Sequence, residues 1–300
     1  SKAEKKGILM EVAGSVKRVT PITEPIFWNF NQYYNEDLIP LEQPLRRAVG
    51  YATDREVLAE TFPQKNVYSL EDMLALLRIQ KDRRGKNFAW CGSRTAICNS
   101  HTQQTTIFDP KGDGFYFAGA QNYAGMGPLH HYHWDFSVPP TLWADGVEIK
   151  EVLCKDAYID NMLVSDTEKL KKRIALSLEY PEDANIHFAV AQNALLVADR
   201  ITFAKYGMKA YSLDSTVPEY GLFASFGYLI RKKPVHAKAI LDQVQSKELT
   251  PLQNIMKQWL ATRIESDPEN KLLLYNMLQK AGLQHEAEST IFPGWESMLG

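Results

Sequence analysis

The chain has 300 residues, enough for one large domain or two ordinary ones, and 45% of them are hydrophobic, so a sizeable core can be buried. Its 34 basic and 36 acidic side chains give a formal charge of -2, which offers no electrostatic footprint for nucleic acid. The longest apolar-leaning stretch, Ile186 to Ala204, is interrupted by His187, Gln192, Asn193, Asp199 and Arg200, so no membrane span is expected. Three cysteines, Cys91, Cys98 and Cys154, are too few for a disulfide framework and leave at least one free thiol unless chains pair. The opening Ser1 in place of Met suits a mature or trimmed form.

In chain order, SKAEKK reads as a solvated arm, and the short apolar pieces GILMEV and SVKRV as strands. Residues 21–45, with their prolines and aromatic clusters, read as irregular packed coil. Ser69 is placed to cap a helix, with Leu70, Met73, Leu74 and Leu77 at helical spacing and Gly85 as its stop. TTIFDP and FYFAG, flanking PKGDG, predict a hairpin. LHHYHWDFSV alternates: Tyr132, Trp134, Phe136 and Val138 share one strand face and His131, His133, Asp135 and Ser137 the other. Pro139-Pro140 ends that strand. TLW and VEI follow as strands joined through Asp145-Gly146, and EVLCKDAY is expected as a further strand. From about residue 166 the periodicity is helical, with Thr250-Pro251 and Asp267-Pro268 as helix openings. No second copy at a fixed period is visible, so no solenoid is predicted. The expected division is an α+β domain over 1–165 and an all-helical domain over 166–300.

Cys91 is the candidate nucleophile. The small residues Gly92 and Ser93 and a helix-compatible run after it would set its sulfur at a helix N-terminus, where unpaired N–H groups stabilise a thiolate or an oxyanion. The competing reading is a buried small hydrophobe, which is also how Cys98 reads. His133 is the candidate base, held on the polar face of a strand; alone it would equally suit a surface histidine. Asp156, expected at the end of the strand EVLCKD, is the candidate orienting carboxylate, with Asp160 and Asp135 as rivals.

Cys91-Gly92-Ser93-Arg94-Thr95-Ala96, Tyr132-His133, Asp145-Gly146 and Val152-Leu153-Cys154-Lys155-Asp156 follow one another in an order that resembles the papain-like, transglutaminase-type cysteine hydrolases. The closest resemblance is to the bacterial protein-glutaminase and effector deamidase group. It covers roughly residues 69–160. Ala157 stands where that group often has Pro, and bulky Trp134 follows the histidine. The resemblance implies a papain-like antiparallel sheet with a cysteine-bearing helix and a Cys91-His133-Asp156 triad. It further implies acyl transfer from a protein glutamine side chain, no cofactor, and action as a secreted effector in a host cell. Deamidation, transamidation and proteolysis share the acyl-enzyme and stay unresolved.

Two other classes compete. Gly125 through the H-x-H of His131 and His133 is similar to the first metal-binding motif of cupins, but Phe136, Ser137 and Val138 stand where a glutamate would be wanted. The helical segment could instead serve as a protein-binding module, alone or as the docking part of an enzyme. There is no P-loop, G-x-S-x-G or G-x-G-x-x-G motif.

Overall fold

The computed structural model describes residues 7–13, 15–22, 34–42, 51–63, 65, 68–79, 97–98, 105–109, 112–118, 127–147, 151–246 and 249–299. The chain is mixed α+β, with small antiparallel sheets followed by a helical C-terminal region. The described residues fall into two compact units, one reaching Ala157 and the other beginning at Tyr158.

In the first unit, the two apolar pieces at the N-terminus form an antiparallel hairpin of β1 (Gly7–Ala13) and β2 (Val16–Ile22). Glu11 on β1 is buried, and its carboxylate accepts from the backbone N–H groups of Tyr34 and Asn35. Helix α1 (Tyr51–Glu60) has little apolar periodicity and was not foreseen. Helix α2 (Leu70–Leu77) starts where Ser69 predicts. The Ser69 hydroxyl accepts from the Asp72 N–H while the Asp72 carboxylate accepts from the Ser69 N–H, a reciprocal capping box. The helix ends earlier than expected, because its apolar stripe stops at Leu77 and the Arg78 guanidinium leaves to donate to the carbonyls of Gly127 and Asp145. Gly85 lies outside the described residues.

The second sheet runs β3 (Thr105–Phe108), β4 (Gly114–Ala118), β5 (Leu129–His133), β6 (Thr141–Ala144), each strand antiparallel to the next. Its first connection is the predicted hairpin, with Phe108 opposite Phe115. One sheet face buries Ile107, Ala118 and Leu129 against Leu70, Met73, Leu74 and Leu77 of α2. The helical and strand periodicities read from the sequence thus meet in one small core. The last expected strand is replaced by α3 (Glu151–Asn161), which carries Val152, Asp156 and Ile159 inward. Their spacing of three and four residues places all three on one helical face, which the short apolar run, compatible with either period, does not by itself select. Glu148 and Ile149 of the preceding expected strand lie outside the described residues.

The second unit consists of α4 (Asp166–Glu179), α5 (Ala184–Leu196), α6 (Arg200–Leu213), α7 (Pro218–Ile230), α8 (Pro234–Leu241), α9 (Pro251–Glu265), α10 (Pro268–Ala281) and α11 (Phe292–Leu299). A short turn, Gln284–Glu286, and a wide π-type turn, Ala287–Ile291, precede α11. Both expected openings hold: Thr250 and Asp267 cap helices that carry Pro at the first position. Alternate helices from α4 to α10 start 33 or 34 residues apart, and consecutive ones from α4 to α8 pack on each other, as helix-pair repeats do. The caps are mixed (Ser165, Asp183, Asp199, Val217, Lys233, Thr250, Asp267) while Pro opens α7 to α10, so the recurrence is chiefly one of length and packing.

Glycines permit a close approach of α6 and α7. A Cβ on Gly207 of α6 would stand 3.2 Å from the Phe223 carbonyl oxygen, and one on Gly227 of α7 would stand 3.1 Å from Ala204 Cα. The core between the helices is aromatic. Phe226 meets Phe203 at 5.1 Å and Trp259 at 5.4 Å between centroids, both edge-on, and Trp259 meets Trp295 at 5.2 Å. Among the described residues no helix is long and apolar enough to cross a membrane.

Candidate functional site

His131 and His133 lie two residues apart on β5, so both rings leave the same sheet face. The hairpin before β4 brings Asp113 to them. Asp113 Oδ1 stands 3.1 Å from His131 Nε2, and Oδ2 stands 3.3 Å from His133 Nδ1. One carboxylate therefore serves two imidazoles, whose ring centroids are 4.8 Å apart. The approach at His131 is electrostatic and not an aligned hydrogen bond, since Nε2 is buried with no hydrogen-bond partner. The Asp113 side chain is 68% exposed, so the site opens to solvent at its acidic end.

Gly114 makes this closeness possible. A Cβ there would fall on the Tyr132 carbonyl oxygen and 2.6 Å from His131 Nε2. Three bonds fix the turn that carries Asp113. Gly112 N–H donates to Asp109 Oδ1 at 2.9 Å, Trp134 N–H to the Asp113 carbonyl at 3.0 Å, and Trp134 Nε1 to the Gly112 carbonyl at 3.4 Å. Tyr116 closes the inner side, packing on His131 at 4.9 Å and on Trp143 at 4.5 Å. Burial, reinforced by Asp109, Asp113 and Glu71, raises the Tyr116 phenol above its ordinary value and keeps it protonated.

Of the predicted site residues, His133 sits on the expected strand. Cys91 lies outside the described residues, as do Gly92 to Ala96. Asp156 is 1% exposed in the middle of α3, and not at a strand end. Asp160 is engaged by Arg173, whose Nη2 donates to its Oδ1 at 2.7 Å. Asp135 accepts from the Ser137 N–H at 2.9 Å, and hydrogen bonds from Ser137, with a lesser contribution from His133, hold its carboxyl below the usual range. Asp113 was missed because it belongs to a turn-forming string, PKGDG, in which an aspartate is expected for turn chemistry.

The other cysteines are held as thiols. Burial pushes the Cys98 thiol up to about 12, against a smaller opposing pull from Arg78. Its 3% exposure marks it as core. Burial, with Glu151 adding to it, also raises Cys154. Neither offers a thiolate at neutral pH. Among the described residues no group of three or more His, Cys, Asp or Glu side chains is arranged to hold a metal ion.

Comparison with protein-family models, curated proteins and solved structures found no match.

Proposed function

We propose that the sheet unit is a thiol-dependent amide hydrolase or acyltransferase of the papain-like, transglutaminase-type class, acting on glutamine side chains of a protein substrate. Cys91 supplies the nucleophile and His133 the base. The observation that carries this reading is the Asp113 carboxylate beside His133 Nδ1, at 3.3 Å on a rigid strand. A carboxylate at Nδ1 favours the tautomer with its proton there and leaves Nε2 free to exchange a proton with sulfur and leaving group. The contact is a close approach and not an aligned hydrogen bond; catalytic hydrogen bonds often align only once substrate is bound. Asp113 thus takes the orienting role that the resemblance gave to Asp156. Cys98 and Cys154, whose thiols burial raises, are the poorer candidates for the role.

In the reaction, the Cys91 thiolate adds to the carboxamide carbon and the carbonyl electrons move to oxygen. Collapse breaks the C–N bond as His133 protonates the nitrogen, releasing ammonia and leaving a thioester. His133 then takes a proton from water, the hydroxide adds to the thioester, and the thiolate departs. Glutamine and water become glutamate and ammonia. An amine in place of water gives transamidation. By the same resemblance, the substrate belongs to a host cell into which the protein is secreted. The 33–34-residue recurrence of helices favours a docking role for the helical unit beside this chemistry.

The test is ammonia release from glutamine-rich protein substrates. Cys91→Ala and His133→Ala should abolish it, and Asp113→Asn should lower turnover by about 10⁴-fold, as loss of a triad carboxylate does. Asp156→Asn should lower it less. Full turnover in Cys91→Ala would sink the mechanism, and a larger loss in Asp156→Asn than in Asp113→Asn would return the orienting role to Asp156.

A further inference from the structure

The Asp113 carboxylate is divided between two rings, one oxygen to each: Oδ1 to His131 Nε2 at 3.1 Å and Oδ2 to His133 Nδ1 at 3.3 Å. The side chain that carries it is 68% exposed on a hairpin turn. Packing therefore does not fix its direction, and water competes for both oxygens. Something other than its own surroundings must hold it toward His133.

His131 is the fixed member of the three. Its ring is 16% exposed, against 33% for His133. Tyr116 packs on it at 4.9 Å, backed in turn by Trp143, and the His133 ring lies at 4.8 Å. The Gly114 backbone comes so close that a Cβ there would stand 2.6 Å from Nε2. A ring packed on several sides keeps one rotamer, so Nε2 keeps one place.

That nitrogen is buried and has no hydrogen-bond partner, with Asp113 Oδ1 at 3.1 Å. With a proton on Nε2 the ring turns a positive edge to the carboxylate; with a bare lone pair it turns a negative one. The first attracts and the second repels, and low-dielectric surroundings strengthen both. The close approach therefore calls for the proton on Nε2. A carboxylate is planar, so drawing one oxygen to His131 sets the direction of the other, and that other oxygen is the one at His133.

We infer that His131 is a positioning residue: with its proton on Nε2 it anchors Asp113 Oδ1 and so presents Oδ2 to His133 Nδ1. Its effect on turnover rests on the catalytic reading of His133, while the anchoring itself does not. His131 takes no part in bond making and acts through Asp113 alone.

The test joins nitrogen NMR of the histidine rings, recorded at alkaline pH where neutral rings show their tautomers, to the kinetics of ammonia release, both on the full chain. In the wild-type protein His131 should carry its proton on Nε2 and His133 on Nδ1. A bare Nε2 on His131 would overturn the inference without any variant. His131→Phe keeps a ring against Tyr116 and removes the N–H. It should move His133 away from the Nδ1-protonated tautomer and lower kcat about tenfold with KM unchanged, the scale of one hydrogen bond to a charged group. His131→Gln, whose amide N–H reaches the same place, should restore both. Added to Asp113→Asn, His131→Phe should cause no further loss, because a residue that acts through another has nothing left to act on. Losses that multiply in the double variant, or an unchanged His133 tautomer in His131→Phe, would overturn the inference. If the wild-type protein releases no ammonia, the catalytic reading fails and the ring tautomers alone decide the anchoring.

Discussion

The two units use aromatic residues in opposite ways. In the helical unit, Phe203, Phe226 and Trp259 are fully buried and meet in a chain across helix boundaries, and buried Tyr220 packs on Phe188. In the sheet unit, Phe108, Trp134 and Phe136 stay in solvent, and the core beneath the sheet is the small cluster of Ile107, Ala118 and Leu129. The helical unit thus invests its rings in stability. The sheet unit holds its rings and its histidine pair at a surface.

That contrast can be broken most directly at Trp259. Trp259→Ala should destabilise the helical unit by about 3–5 kcal/mol, read by chemical denaturation followed by helical circular dichroism. Trp143→Ala, on the half-buried side of the sheet core, should cost about 1–2 kcal/mol. Equal losses would show that the sheet core is as cohesive as the helical one.

Arg173 comes next. Its guanidinium is 8% exposed and donates to Asp160 at 2.7 Å and to Asn193 at 3.2 Å. Arg173→Met should cost about 2 kcal/mol, less than a fully buried pair because the Asp160 side chain is 27% exposed and regains water. An unchanged denaturation midpoint would mean that the pair contributes nothing net.

The glycines sharpen the comparison further. Gly227→Ala should cost about 1–3 kcal/mol by overpacking α6 against α7 and leave the histidine resonances in place. Gly114→Ala should do the reverse, shifting the ring signals of His131 and His133 and lowering ammonia release while the helical signal holds. Gly114→Ala with full activity would separate the close strand approach from the site.

The smallest effect should be at His187. Its ring is 5% exposed, Nε2 meets the Pro181 carbonyl at 2.8 Å, and Nδ1 is buried without a hydrogen-bond partner. Burial lowers its pKa below 6.5, against a raising effect from the Pro181 bond; Lys209 lowers it further, while Asp183 and Glu182 raise it. The unfolded chain therefore binds the proton more readily. The stability that neutral His187 provides is complete above about pH 6.5 and is lost as pH falls from there toward the depressed folded value. His187→Gln, which can still donate to Pro181, should flatten this acid dependence of the melting temperature. A slope unchanged from wild type would place the acid sensitivity elsewhere.

Sequence alone determined the elements whose cause is local. Ser69, Thr250 and Asp267 cap helices because their side-chain oxygens reach N–H groups two or three residues away. The hairpin around PKGDG and the histidine strand as far as His133 follow from turn chemistry and alternation, which also act over a few residues, whereas the expected continuation to Val138 gives way to a turn at Trp134. Only the tertiary structure decided that residues 151–161 are helix, since a short apolar run fits either period until packing selects one face. Only it showed the 33–34-residue recurrence, which resides mainly in helix length and contact, its trace in the letters being the Pro that opens α7, α8, α9 and α10. And only it chose Asp113 as the carboxylate at His133. The two are 20 positions apart in the chain, and what joins them is the register that sets Gly114 opposite His133, a pairing decided between strands.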